Sequence, residues 1–170
     1  MKKQNLIPMI FILAVTFVAC NEMEPKATKV NVITEMYPAE QEKVKMTLTH
    51  ILDLAKAKQL DSVESYHLYG PKFTKFDDGG LPNRQDAESA KKGERELFSA
   101  VSEFNYTLED LKADVFDDAA IATFIINVAF KMGDTAGTAK SRGTIVFVKV
   151  EGAWKITHEH FSPFILPPTQ

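Results

Sequence analysis

The 170-residue chain contains a single cysteine and a single tryptophan. One cysteine allows no internal disulfide and no cysteine-rich zinc site. Positive charge is not in excess, because 20 Lys and Arg stand against 23 Asp and Glu, for a formal net charge of −3. A dedicated nucleic-acid binder normally carries a basic face, so that class is set aside. The apolar run Leu6–Ala19 covers fourteen residues, fewer than the roughly 20 that a bilayer-spanning helix needs. The sequence has no glycine-rich phosphate loop, no nucleophile elbow and no Ser-His-Asp signature. What is present is 45% hydrophobic and 25% charged residues, the ordinary mix of a folded protein. Length and mix together indicate one domain and exclude wholesale disorder, collagen and a polytopic membrane protein.

Lys2 and Lys3 precede the apolar run, and the only cysteine, Cys20, follows it directly in Phe17-Val18-Ala19-Cys20. A basic head, a short apolar core and small residues at the cut form a secretory signal. The arrangement resembles a bacterial lipoprotein signal, which implies diacylation of Cys20, removal of residues 1–19 and acylation of the new amino group. Phe17 departs from the usual Leu, Val or Ile, and ordinary cleavage after Cys20 stays open. Asn21, rather than Asp, after the cysteine implies outer-membrane sorting by resemblance to enterobacterial lipoproteins. Glu22 and Glu24 resemble the acidic tether of surface-exported lipoproteins, so a periplasmic and a surface location both stand. Acyl chains would hold the protein at a membrane surface. Residues 20–37 read as a tether with a short strand at Val30–Ile33.

Beyond the tether the apolar period is helical. Val44, Leu48, Ile51, Leu52 and Ala55 predict a helix over 40–58, with Pro38 ahead of it and Glu40 and Glu42 in its first turn. Asp61-Ser62-Val63-Glu64 has capping-box spacing and predicts a short helix through His67, with Asp61 as its cap. Gly70-Pro71, Gly79-Gly80 and Pro82 mark turns around a short extended piece holding Phe73 and Phe76. A third helix is predicted from Asp86 to Phe104, with Ala90, Leu97, Val101 and Phe104 on one face and Glu94 elsewhere. Strands follow at Leu111–Val115, Ala120–Phe130, Thr138–Val150 and Trp154–Phe161, separated by Asp117-Asp118, Gly133-Asp134 and Glu151-Gly152. Residues 164–170 are an irregular tail. Helices followed by an antiparallel meander predict an α+β fold with helices on one sheet face.

Arg142-Gly143-Thr144-Ile145-Val146-Phe147, a hairpin, and then Trp154-Lys155-Ile156-Thr157-His158-Glu159-His160-Phe161-Ser162 resemble the C-terminal hairpin of SnoaL-like domains. These belong to the nuclear transport factor 2-like superfamily. The ending is also similar to the association domain of calcium/calmodulin-dependent kinase II. The resemblance covers residues 38–163 and implies a curved antiparallel sheet wrapped with helices into a cone whose mouth is a pocket. It also implies a homodimer. Relatives include isomerases, dehydratases and polyketide cyclases, so the fold leaves the activity open.

On the cone model, strand alternation puts Trp154, Ile156, His158 and His160 on the concave face and Glu159 on the other. His158 and His160 are the candidate catalytic acid–base residues, with a wall or structural role as the alternative. No metal or cofactor is expected, because a third ligand is not apparent: Glu159 points away, and His50 and His67 lie on other elements. Arg142 either offers a fork to a carboxylate inside the pocket or is solvated outside. Asn127 is either a pocket amide or part of a structural network. Tyr69, Phe73, Phe76 and Tyr106 are candidate lining residues. Asp53 and Asp61 are carboxylates without a motif tying them to Tyr106. Three functions stand: an anchored domain binding a small, anionic or hydrophobic molecule; a small isomerase, dehydratase or hydrolase using a pocket histidine; and a dimeric assembly module.

Overall fold

Pro38 opens the first helix, because its missing N–H is one of the groups a helix start leaves unpaired anyway. This helix, α1, runs Pro38–Lys56 in the computed structural model, which describes residues 31–77 and 83–164. Its buried stripe is Val44, Leu48, Ile51 and Ala55, the face expected from the sequence. It stops two residues before the expected Lys58, which takes a left-handed φ of 61°. The Lys58 ammonium then donates to the Phe98 and Val101 carbonyls, where a cation suits the C-terminus of the third helix.

The chain enters α2, Leu60–Ser65, at once. Asp61 is therefore not the cap: Gln59 holds that place without a side-chain bond, and Asp61 in the first turn pairs with Arg95. Strand β1 is Thr74–Phe76. Helix α3, Ala87–Ala100, starts at Asp86, whose carboxylate accepts from the Ser89 N–H at 2.9 Å. It ends four residues short of the expected Phe104. Val101 is already extended, and Phe104 pairs with Phe130 across a strand ladder. Residues 101, 104 and 108 fit a helical stripe, but 104, 106 and 108 also share one strand face, and the ladder wins.

Four long strands follow: β2 Val101–Phe116, β3 Ala119–Met132, β4 Thr135–Val150 and β5 Ala153–Pro163. Their turns use positive φ at Asp117, Gly133, Glu151 and Gly152, which suits the twist of tight hairpins. The sheet order is β1-β5-β4-β3-β2, antiparallel except that β1 runs parallel to β5. Register shifts between Glu109 and Lys112 and between Val146 and Phe147 are bulges, which bend a sheet. At the N-terminal end, Asn31–Thr34 forms a turn closed by the Asn31 side chain on the Ile33 N–H at 3.1 Å, rather than the expected strand. At the other end Pro163 belongs to β5, and residues 165–170 lie outside the described residues.

All three helices cover one sheet face, giving the α+β architecture expected. The core on this inner face joins Val44, Leu48, Ile51 and Ala55 to Ala120, Ala122, Phe124, Ile126, Ile145, Phe147, Trp154 and Ile156. Each large apolar side chain among these contributes about 1.5–3 kcal/mol by burial. Phe124 lies flat on Gly143 of the neighbouring strand, where a Cβ would overlap its ring.

Candidate functional site

The decisive local feature is on β5. Trp154 pairs with Lys149 and Ile156 with Phe147, but the next pair is His158 with Val146. Thr157 is the extra residue of a bulge, so the strand changes face there. Trp154 and Ile156 are buried on the inner face; beyond Thr157 it is Glu159 that turns inward, 6% exposed, while His158 is half-buried and His160 exposed on the outer face. The expectation that Trp154, His158 and His160 share one face, with Glu159 on the other, is thus corrected. Simple alternation fails at the Thr157 bulge.

Parallel pairing carries the new parity into β1. Thr74 lies beside His158, Lys75 beside Glu159 and Phe76 beside His160. Lys75 is therefore the inward residue, 7% exposed. Its ammonium stands 2.6 Å from Glu94 Oε1 and 3.1 Å from Glu159 Oε2. Glu94 reaches the cluster from α3, four residues after the buried Ala90. Tyr69 donates its O–H to Glu94 Oε2 at 2.8 Å. His67, just after α2, is also buried. Its Nδ1 donates to the Val63 carbonyl at 3.0 Å. Its Nε2 then faces Glu159 Oε1 at 3.5 Å and Glu94 Oε2 at 4.0 Å. Each carboxylate thus turns one oxygen to Lys75 and the other to His67.

Aromatic rings close the cluster. Tyr69 stacks on His67 with centroids 5.0 Å apart, and Phe73 meets Tyr69 edge-on at 4.9 Å. Lys75 also lies 5.8 Å from the Phe161 ring centre. This environment drives the two carboxyls apart. Burial and the Glu159 charge raise the pKa of Glu94 against the pull of Lys75. Burial also presses on Glu159, but the Lys75 charge and the His67 bond outweigh it and hold the group well below the usual carboxylate range. Burial lowers His67, and the two carboxylates more than reverse this, so its pKa is raised. Lys75 is likewise raised, its two carboxylates overcoming burial. Burial and Glu94 raise the Tyr69 phenol. The outcome is one carboxyl raised and its neighbour lowered, the pattern that separates an acid from a base.

The remaining candidates scatter. Tyr69 and Phe73 belong to the inner cluster. Trp154 is inside but serves α1, donating Nε1–H to Glu40 at 3.1 Å while Lys149 covers its ring at 4.7 Å. Tyr106 donates to Asp53 at 2.7 Å and to the Thr49 carbonyl at 3.2 Å, tying β2 to α1. Arg142 is on the outer face, bonded to the Pro163 carbonyl at 3.1 Å and stacked on Phe164 at 4.6 Å. Phe76 stands outside between His158 and His160, at 6.3 and 5.7 Å. His158 is hydrogen-bonded to Thr74 at 2.7 Å. Asn127, also outside, donates to Glu109 at 2.7 Å and lines an open groove of about 410 Å³ with Asn105, Thr107, Thr138 and Lys140. Cys20 lies outside the described residues.

Lys75, Glu94 and Glu159 were missed as site residues, and His67 was set aside. Two signals were available. Lys75 is two residues from Phe73 in a short extended piece, the spacing of one face. Glu94 stands four residues after Ala90, the spacing of one helix face.

The profile of the SnoaL-like domain matches residues 44–167. No curated protein sequence matches the chain. Among solved structures, a candidate dehydratase of the NTF2-like family from Streptomyces avermitilis superposes with a TM-score of 0.68 at 17% identity, covering 75% of this chain and 98% of that one. A candidate scytalone dehydratase from Novosphingobium aromaticivorans gives 0.66 at 9% identity, covering 75% and 85%. The association domain of CaMKII from C. elegans gives 0.60 at 19% identity, covering 73% and 95%. These likenesses establish the NTF2-like fold. With the profile spanning nearly all of α1 to β5, the chain belongs to the SnoaL-like domain family.

Proposed function

We propose that this protein is a lipid-anchored protein of the bacterial envelope whose SnoaL-like domain binds a small molecule at the inner cluster. One observation carries the binding site: Lys75, Glu94, Glu159, His67 and Tyr69 converge from separate elements inside the domain. A domain held by its core alone has no need to take several ionisable groups out of water, each at a cost of several kcal/mol. Buried titratable groups pushed apart in pKa concentrate at functional sites. Phe73, Phe161 and Tyr69 supply an apolar wall, so the chemistry fits a mainly apolar molecule with one polar or ionisable head. Tyr69 is half-buried and stacks on His67, so access turns on its ring.

The same groups suit an isomerase or dehydratase, with Glu94 giving a proton and Glu159 or His67 taking one. The neighbours described as candidate dehydratases lend that alternative weight. The anchor reading rests on Cys20 directly behind its apolar run, with outer-membrane sorting favoured by Asn21. Fatty-acid labelling that is lost in Cys20→Ser supports it, and equal labelling removes it.

The binding reading is tested by thermal unfolding with a panel of small carboxylates, alcohols and amines on apolar frames. A ligand at 100 times its Kd stabilises by about 2.7 kcal/mol. Stabilisation of the wild type that disappears in Glu94→Gln supports the site. No response from any compound, or equal shifts in both proteins, removes it.

A second reading has its own observation. Phe116, Ile121 and Val150 are exposed large apolar residues on the outer sheet face, away from the helices. Two of the solved neighbours are described as CaMKII association or hub domains and two more as candidates for one. We infer a homodimer formed through this face, which is compatible with a ligand on the inner face.

A further inference from the structure

The inner cluster holds three electron-pair donors that face one another. His67 Nε2, Glu94 and Glu159 offer ligand atoms within 4.8 Å of one another, all on buried or half-buried residues. Two atoms bound to one ion at about 2.1 Å in a tetrahedron stand about 3.4 Å apart. The separation of 3.5 Å between His67 Nε2 and Glu159 Oε1 already meets that figure, and the 4.0 Å to Glu94 Oε2 needs only a small closure.

The surrounding bonds are those that orient metal ligands. The other ring nitrogen of His67 donates to the Val63 carbonyl, which fixes the tautomer and presents the Nε2 lone pair inward. The far oxygens of both carboxylates are held by Lys75, and Tyr69 donates to Glu94 from the flank. Lys75 thus occupies one edge of the carboxylate pair and leaves the opposite edge, with His67, for a second positive centre. One imidazole and two carboxylates suit borderline divalent ions of the first transition row. Three protein ligands leave a coordination position open, as in catalytic rather than structural zinc sites.

We propose that His67, Glu94 and Glu159 form a binding site for one divalent transition-metal ion, with Lys75 and Tyr69 as positioning residues. The inference deepens the reading of the inner cluster as the working site and rests on it for that location.

The chain has four histidines, so the exposed His158 and His160 are rival chelators. The experiment therefore uses the full chain and its His158→Ala/His160→Ala variant, dialysed against Zn2+ and analysed for metal content. One equivalent retained in both proteins is expected. His67→Gln and Glu159→Gln in that background should weaken Zn2+ binding at least 100-fold, with circular dichroism reporting folding. Where a variant does not fold, the wild type answers alone: Zn2+ should shift the imidazole nitrogen resonances of His67 and leave His50 in place. Metal uptake that vanishes in His158→Ala/His160→Ala, or no stoichiometric uptake by the folded wild type, overturns the proposal. Uptake at His67 without any small-molecule response leaves the metal site standing and removes the ligand reading. A small-molecule response without uptake does the reverse.

Discussion

Replacing Lys75 with methionine keeps most of the side-chain volume and removes the one ammonium that touches both buried carboxylates. In the wild type the Lys75 ammonium contacts both Glu94 and Glu159, and His67 Nε2 faces their other oxygens. The variant leaves Glu159 without its ammonium and drives Glu94 further toward its neutral form. Breaking a buried ion network by removing one partner costs about 3–5 kcal/mol. The lower end applies here, because burial and Glu159 already raise the Glu94 pKa and so lower the cost of its neutral form. For a domain of this size a loss of about 3 kcal/mol lowers Tm by roughly 10 °C. The sign of the pH dependence follows. Burial already raises the Glu94 pKa in the wild type, and in Lys75→Met the opposing pull of the ammonium is gone, so its contribution is present at low pH and lost as pH rises through the raised value. The deficit against wild type should therefore be larger at pH 8 than at pH 5. Calorimetry at both values measures it. Adding Glu159→Gln to Lys75→Met should recover part of the loss, because the stranded charge is gone, with a coupling of about 0.5–3 kcal/mol. A Lys75→Met protein as stable as wild type at both pH values would show that the ammonium is not inside the network, and the site would have to be redrawn.

Trp154→Ala should destabilise by about 3–5 kcal/mol through the cavity it leaves, whereas Trp154→Phe should cost about 1 kcal/mol for the Glu40 bond; chemical denaturation separates the two. Gly143→Ala should cost about 1–3 kcal/mol, since the Phe124 ring must leave the strand it covers; an unchanged denaturation midpoint would contradict that packing. Ile121→Asp on the outer face should shift the protein toward monomer in sedimentation while leaving its Tm within a few degrees. An unchanged sedimentation coefficient would remove that face from the interface.

The fold was largely legible because its signals are periodic. The stripe Val44-Leu48-Ile51-Ala55 admits only one helix face, and the paired turns Asp117-Asp118, Gly133-Asp134 and Glu151-Gly152 divide the strands. The α3–β2 boundary was not legible, since the run from Leu97 to Leu108 satisfies both periods and only the ladder to β3 decides. The cluster was hidden for a related reason. A single unpaired residue, Thr157, reverses the face of everything after it on β5, and no local residue type announces it. His158 and His160 drew the eye as a pair, but the bulge turns them outward and brings Glu159 in. Nothing near Lys75 marks it as buried, because its partners, Glu94 and Glu159, are 19 and 84 positions further along the chain. The meeting of the two carboxylates depends on β1 running parallel to β5, which follows from the sheet order and not from any residue within β1.

The central claim is that the inner face presents Glu159, Lys75, Glu94 and His67, with His158 and His160 turned outward. Diethyl pyrocarbonate modification followed by peptide mass spectrometry reads this directly in the unaltered protein. The exposed His50 and His160 should react fastest, His158 more slowly behind its Thr74 bond, and His67 only on unfolding. Rapid modification of His67 with His160 protected would place the histidine pair inside and contradict the account.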